Sequence, residues 1–285
     1  MKHGGHLACL LSMVALVVPL FSQNPPPKLK FEVISIKANK SGVRNSSIGA
    51  AGGRFIATNV SLRRLLDDAY RTRSSALFNS QIVGGPAWLD TDRFDVEAKP
   101  EGDGRPIPVE QMQIMVQSLL EDRFALRLHR EKREMAVYNL VVAKKGKLKR
   151  SEDQSPIVYG PLGGPPSPSN SSSPPRGVSR MMGGNNGVEL MATAINIATL
   201  AGTLQLQVDR PIIDKTNLQG LFDIELRFAP TSAIQSATQP GGALPVEVGP
   251  SLFTAVQEQL GLKLQAGKGP VEVFVIDHAE KPDAN

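Results

Sequence analysis

The sequence predicts an α+β protein made of two related β-α-β-β-α-β-β units, each with a helix pair packed on small mixed sheets. Three observations predict it. The same order of elements occurs on both sides of a long spacer, the strands alternate apolar and polar residues, and each helix carries one apolar stripe at spacings of three and four. A chain of 285 residues also suits two cores of about 100 to 150 residues each better than one.

The chain opens with Lys2 and an uncharged apolar run from Leu7 to Phe21, followed by Ser22-Gln23-Asn24-Pro25-Pro26-Pro27. A run of that length is short for a bilayer span and has the layout of an export signal, so residues 1–22 are read as a signal peptide cleaved after Ser22, with retention as an anchor the alternative. Cys9 is the single cysteine and falls inside this segment. The exported chain, periplasmic or secreted, therefore has no disulfide, no thiol nucleophile and no cysteine ligand for a metal.

Residues 23–150 form the first unit. Phe31-Glu32-Val33-Ile34-Ser35-Ile36 reads as an extra N-terminal strand that joins the first sheet or bridges the units. Phe55 to Val60 is the first strand of the unit proper, and Ser61 caps a helix whose stripe is Leu62, Leu65, Leu66, Ala69 and Tyr70. A short strand at Gln81-Ile82-Val83, a turn holding Trp88 and the alternating strand Phe94-Asp95-Val96-Glu97 follow. A second helix carries Met112, Met115, Val116, Leu119 and Leu120, and a closing hairpin is expected over Phe124 to Lys145.

From Ser151 to Gly187, 25 of 37 residues are Pro, Gly, Ser or Asn, which is too little apolar surface to offset ordering entropy, so 151–187 is read as a linker or disordered loop. Gly183-Gly184-Asn185-Asn186-Gly187 lacks the Lys-Ser/Thr of a phosphate loop and is read as spacer.

Residues 188–285 repeat the order. Val188 to Ala194 is the strand, Asn196 the cap, and Ile197, Leu200, Ala201 and Leu204 the stripe. Pro211 to Asp214 and Phe222-Asp223-Ile224-Glu225 are the next strands, and a weak stretch from Thr231 to Gly249 leads to a helix with Leu252, Ala255, Val256 and Leu260. Pro250 suits its first turn and Gly261 its exit. A hairpin over Leu260 to Lys281 then aligns without a gap with Phe124 to Lys145.

Composition excludes several classes. Hydrophobic content of 41% with 21% charged and 5% aromatic residues is neither disordered nor membrane-embedded. The net charge of +5 permits anionic contacts, but the densest basic run, Lys144 to Arg150, reads as a strand end beside the spacer, and export argues against nucleic acid. After signal removal no membrane span is expected.

Candidate chemistry is sparse. His129 and His278 do not recur between the halves and show none of the spacings of a zinc site. No catalytic residue, cofactor or metal is expected. The polar residues that recur are Asp95 with Glu97 and Asp223 with Glu225, outward on their strands, and with the sole tryptophan, Trp88, they form the candidate recognition surface. Repetition of Phe-Asp-x-Glu points to folding, and the leading expectation is a non-enzymatic exported binding protein whose partner is an envelope protein or cell-surface component, met by strand addition or in a groove between units. The crowding of Asp90, Asp92, Asp95 and Glu97 on one hairpin leaves a second reading, a hydrolase of envelope polymers. A soluble ligand sensor is the third.

The motifs Phe31-Glu32-Val33-Ile34-Ser35-Ile36-Lys37, Gly84-Gly85-Pro86-Ala87-Trp88-Leu89, Asp92-Arg93-Phe94-Asp95-Val96 and Gly249-Pro250-Ser251-Leu252-Phe253-Thr254-Ala255 together resemble an exported family of unknown function found mainly in soil bacteria. The resemblance implies a periplasmic or secreted protein and transfers no catalytic residue. Some relatives carry the module as the C-terminal part of membrane peptidases similar to antibiotic-sensing receptors. Each unit also resembles the short N-terminal domain of secretins and TonB-dependent receptors, chiefly over Ser251 to Ile276, which implies a protein-interaction or signalling domain of the envelope.

Overall fold

The computed structural model describes residues 30–43, 45–72, 77–101, 107–157, 173–184, 187–230 and 249–283. The expected signal at 1–22, residues 158–172 and 185–186 of the Pro-rich spacer and nearly all of the weak stretch after Thr231 lie outside them. Within them the protein is α+β, with five helices and three four-stranded sheets.

The first half runs β1 (Phe31–Ala38), β2 (Ser47–Ala51), β3 (Arg54–Val60), α1 (Leu62–Tyr70), β4 (Ile82–Gly84), α2 (Trp88–Thr91), β5 (Phe94–Pro100), α3 (Val109–Arg123) and β6 (Arg127–Val142). The second runs β7 (Lys149–Arg150), β8 (Val178–Gly184), β9 (Gly187–Ile195), α4 (Ile197–Gln205), β10 (Ile212–Asp214), β11 (Phe222–Phe228), α5 (Leu252–Leu260) and β12 (Leu262–His278). Ser61, Asn196 and Ser251 each accept a bond from the amide three residues on, which satisfies a helix-start donor that would otherwise be orphaned. Pro250 thus precedes the cap Ser251 instead of entering the first turn, and Gly261 ends α5 at φ 67°.

The first sheet has the order β1-β5-β3-β2, the third β7-β11-β9-β8, and both are antiparallel. The N-terminal strand therefore joins the first sheet. Phe55, Ile56 and Ala57 face Ala98, Glu97 and Val96, while Leu190, Met191 and Ala192 face Leu226, Glu225 and Ile224. Each ladder then slips one step before Val60 meets Phe94 and Ile195 meets Phe222. At these bulges Asn59 and Ala194 have φ of 55° and 51°. β5 and β11 share one burial alternation, with Phe94, Val96 and Ala98 in one and Phe222, Ile224 and Leu226 in the other turned inward.

The expected closing hairpins are replaced by two unbroken strands of 16 and 17 residues, β6 and β12, which pair with each other. Arg130 to Glu134 offers no turn residue, and the Gly267 to Pro270 stretch that could turn is held extended by the facing strand. The ladder runs from Leu262 opposite Val142 to Ile276 opposite Leu128, with Pro270 opposite Glu134. β10 flanks β6 and β4 flanks β12, both in parallel, giving the order β10-β6-β12-β4.

Two apolar cores result. One gathers the inner faces of β1, β3 and β5 with α1, α2, α3, Leu126 and, from the far end of the chain, Ile276. The other gathers β9, α4, β11, α5, Leu262 and Leu264 with Leu140 from β6. Each long strand therefore starts in one core and finishes in the other.

Two strands were not expected. β2 precedes β3 as a neutral edge of small residues around Ile48, and β8 lies inside the stretch read as spacer, paired with β9 up to Gly184 opposite Gly187. Pairing with β9 supplies the ordering that the segment's own composition does not.

Candidate recognition surface

Trp88 begins α2, a helical turn where a plain turn was expected, and is half-buried. Its ring meets Phe94 edge-on at 6.2 Å, and Lys281 lies 5.8 Å from its centroid while pairing with Asp92 at 2.7 Å. The lysine bond holds the Asp92 carboxyl below the usual carboxylate range. Trp88 thus closes the edge of the first core against the segment after β12.

Asp95 faces partly inward. Its carboxylate accepts from the Asn59 backbone amide at 2.8 Å and from Asn39 Nδ2 at 2.8 and 3.0 Å. Asn59 Nδ2 in turn binds the carbonyls of Val43 and Asn45. In the third sheet Asp223 accepts from the Ala194 amide at 3.1 Å and pairs with Lys149 at 3.4 Å. Both aspartates therefore hold the left-handed residue of a bulge, a conformation that costs a non-glycine residue about 1 kcal/mol and needs local support. Glu97 and Glu225 are exposed on the outer faces of the two sheets. Glu97 pairs with Arg54 at 2.8 Å, and Arg227, near Glu225, binds Glu189 at 2.7 Å. Such exposed pairs contribute about 0 to 1 kcal/mol.

The five candidates do not form one surface. Asp95 with Glu97 and Asp223 with Glu225 lie on two different sheets, and Trp88 belongs to an inner edge. The acids between Asp90 and Glu97 are also separated by their partners, since α2 replaces one arm of the expected hairpin and Asp90 is gripped by Arg63, which also binds the Ile82 carbonyl. His129 pairs with Asp277 and His278 with Glu280. Among the described residues no three His, Cys, Asp or Glu side chains gather to hold a metal.

Two further features carry no sequence motif. A shallow cleft of about 200 Å³ is lined by Phe253, Thr254, Gln257, Glu258, Lys263 and Leu264, with the Phe253 ring edge-on to Tyr138 at 5.1 Å and Arg210 over Tyr138. The second lies on β11, where Gln259 of α5 closes a two-bond ring with the backbone of Arg227. The Arg227 amide donates to Oε1 at 2.9 Å and Nε2 donates to the Arg227 carbonyl at 2.8 Å. These groups can recognise a backbone or an aromatic ring.

No helix among the described residues is long and apolar enough to cross a membrane. No curated protein and no solved structure matches the chain. A family model described as "Protein of unknown function (DUF3738)" matches residues 63–279, well over half of the sequence, and the chain belongs to that family.

Proposed function

We propose that this is an exported, non-enzymatic binding protein of the bacterial envelope, built from two related units of the kind found at the N-termini of secretins and TonB-dependent receptors. The observation that carries the reading is the use of Asp95 and Asp223. One of the two acids common to both halves spends its carboxylate on the bulge amides of Asn59 and Ala194, so this shared residue serves the scaffold. The common registers, the paired left-handed residues and the opposition of Glu134 and Pro270, which align with each other in the gapless match of β6 to β12, support the relation of the units. Recognition then falls to strand edges, which present unpaired backbone groups to an extended partner, an envelope protein or cell-surface component.

The test uses the mature chain from Gln23 as bait on envelope extract, beside a hydrolysis assay on envelope polymers. A recurrent partner without turnover is expected. Turnover that Asp95→Asn with Glu97→Gln abolishes at unchanged Tm overturns the reading in favour of a hydrolase. Mass analysis of the protein from fractionated cells, expected to start at Gln23 outside the cytoplasm, tests export.

A further inference from the structure

The strands that end the sheets are protected to different degrees. Among them, β1 carries Glu32 and Lys37 and β8 carries Arg180, and charged side chains on an edge resist pairing with another chain. β2, Ser47-Ile48-Gly49-Ala50-Ala51, carries no charge, and all of it is exposed except Ile48, which is half-buried against the first core. The turn after β2 fixes which way its backbone groups point. Gly52 and Gly53 have φ of 57° and 74° and join Ala51 to the facing Arg54, the two-residue turn in which the flanking pair is hydrogen-bonded. Ser47, Gly49 and Ala51 therefore turn their backbone groups to β3, and Ile48 and Ala50 turn theirs away from the sheet.

Nothing in the packing of the single chain calls for a glycine at Gly49. Its φ is not left-handed, and a Cβ added there would meet nothing within 4 Å. A glycine in mid-strand weakens the strand and packs nothing, and it marks places where another backbone comes close. The strand is also its own complement. When two copies of β2 run antiparallel about Gly49, Ile48 of each copy faces Ala50 of the other, and each such pair exchanges the outward amides and carbonyls. Gly49 then faces Gly49 of the second copy in the pair without hydrogen bonds, the closer of the two spacings. Ile48 gains apolar cover beside Ala50 of the second copy, and no charge is set against another along the strand.

We propose that β2 is a contact between copies of this protein, through which two chains join their first sheets edge to edge about a two-fold axis at Gly49. The occupant is a second copy because a two-fold axis requires one strand to suit itself in register, side-chain size and charge, and Ser47 to Ala51 meets all three. A contact of five residues a side is small against the roughly 20 to 30 of a stable interface, so the pairing is reversible and fills at high local concentration. It goes beyond the binding reading above and does not depend on it.

The test uses the chain from Gln23, which holds no cysteine. With Gly49→Cys the paired Cα atoms lie about 4.5 Å apart, within the range a disulfide spans, whereas with Ala51→Cys they are more than about 13 Å apart. Under mild oxidation Gly49→Cys should form a disulfide-linked dimer at least about tenfold faster than Ala51→Cys, which is also exposed. In sedimentation equilibrium of the unsubstituted chain, the average mass should rise above that of one copy as the concentration approaches about 1 mM. Gly49→Lys, whose side chain has open space in the single copy but sets two cations against each other at the axis, should weaken this association at least about tenfold at unchanged Tm. Equal rates for the two cysteines, a mass that stays at one copy, or association that Gly49→Lys leaves intact overturns the contact.

Discussion

The sheets that hold β5 and β11 share a register, a bulge and an inward aspartate, yet the neighbours of those strands differ. β5 is covered by eight residues of β1, whereas β11 has two residues of β7 and one glutamine side chain. The parts in common are those that set backbone geometry, and the parts that differ are those that cover the strand edges. A scaffold of this kind can vary its contacts without altering its core.

The largest expected effect tests whether the halves are separable at all. A chain of residues 23–150 lacks β12, so the first core loses Ile276 and Tyr70 loses its contact with Phe274 at 5.0 Å. Thermal unfolding followed by circular dichroism should show no cooperative transition, and a sharp one would make the halves independent domains.

The aspartates sharpen the comparison next. Asp95→Ala frees one backbone amide and the Asn39 amide, for a loss of about 1 to 3 kcal/mol in denaturant unfolding. Asp223→Ala breaks one longer bond to the backbone and a mostly exposed ion pair, for about 1 kcal/mol. Equal losses would mean that the two bulges lean on their aspartates alike.

The residues that follow α3 and α5 differ by one methyl group. Ala125 has φ 45° and Gly261 φ 67°. Gly261→Ala should cost more than about 1 kcal/mol, since the added carbon also runs into the Lys144 carbonyl, while Ala125→Gly should gain about 0.5 to 1 kcal/mol. The smallest effect concerns Asp68, for which the third sheet has no acidic counterpart on α4. Burial raises its carboxyl above the usual 3.8, against the pull of Arg71 and Arg64. An acid with a raised folded pKa holds its proton longer in the native state, so its contribution to stability falls as pH rises from 3.8 through that raised value. Asp68→Asn should flatten the stability profile in that window.

Much of this was legible in local pattern. The stripes of α1, α4 and α5, the caps Ser61 and Asn196 and the alternation of β5 and β11 follow from spacing alone, because helix and strand periods are written in neighbouring residues. The closing hairpins were misread because a long strand and a hairpin share the same alternation, and only the facing strand, some 130 positions away, decides between them. β2 and β8 carry too little apolar signal and borrow their order from β3 and β9. Of the candidate site, the outward position of Glu97 was readable, but the binding of Asp95 to Asn59 depends on a bulge, and the Gln259 contact joins residues 32 apart with no motif between them.

The interlocked central ladder also bears on how the chain is made. A nascent chain that has reached only Gly261 has completed neither core, because Ile276 is still missing from one and Leu262 and Leu264 from the other. Pairing β6 with β12 closes a loop of more than a hundred residues, a slow step that synthesis from the N-terminus must leave until late. Until that step neither core is closed, and afterwards undoing the ladder opens both cores at once.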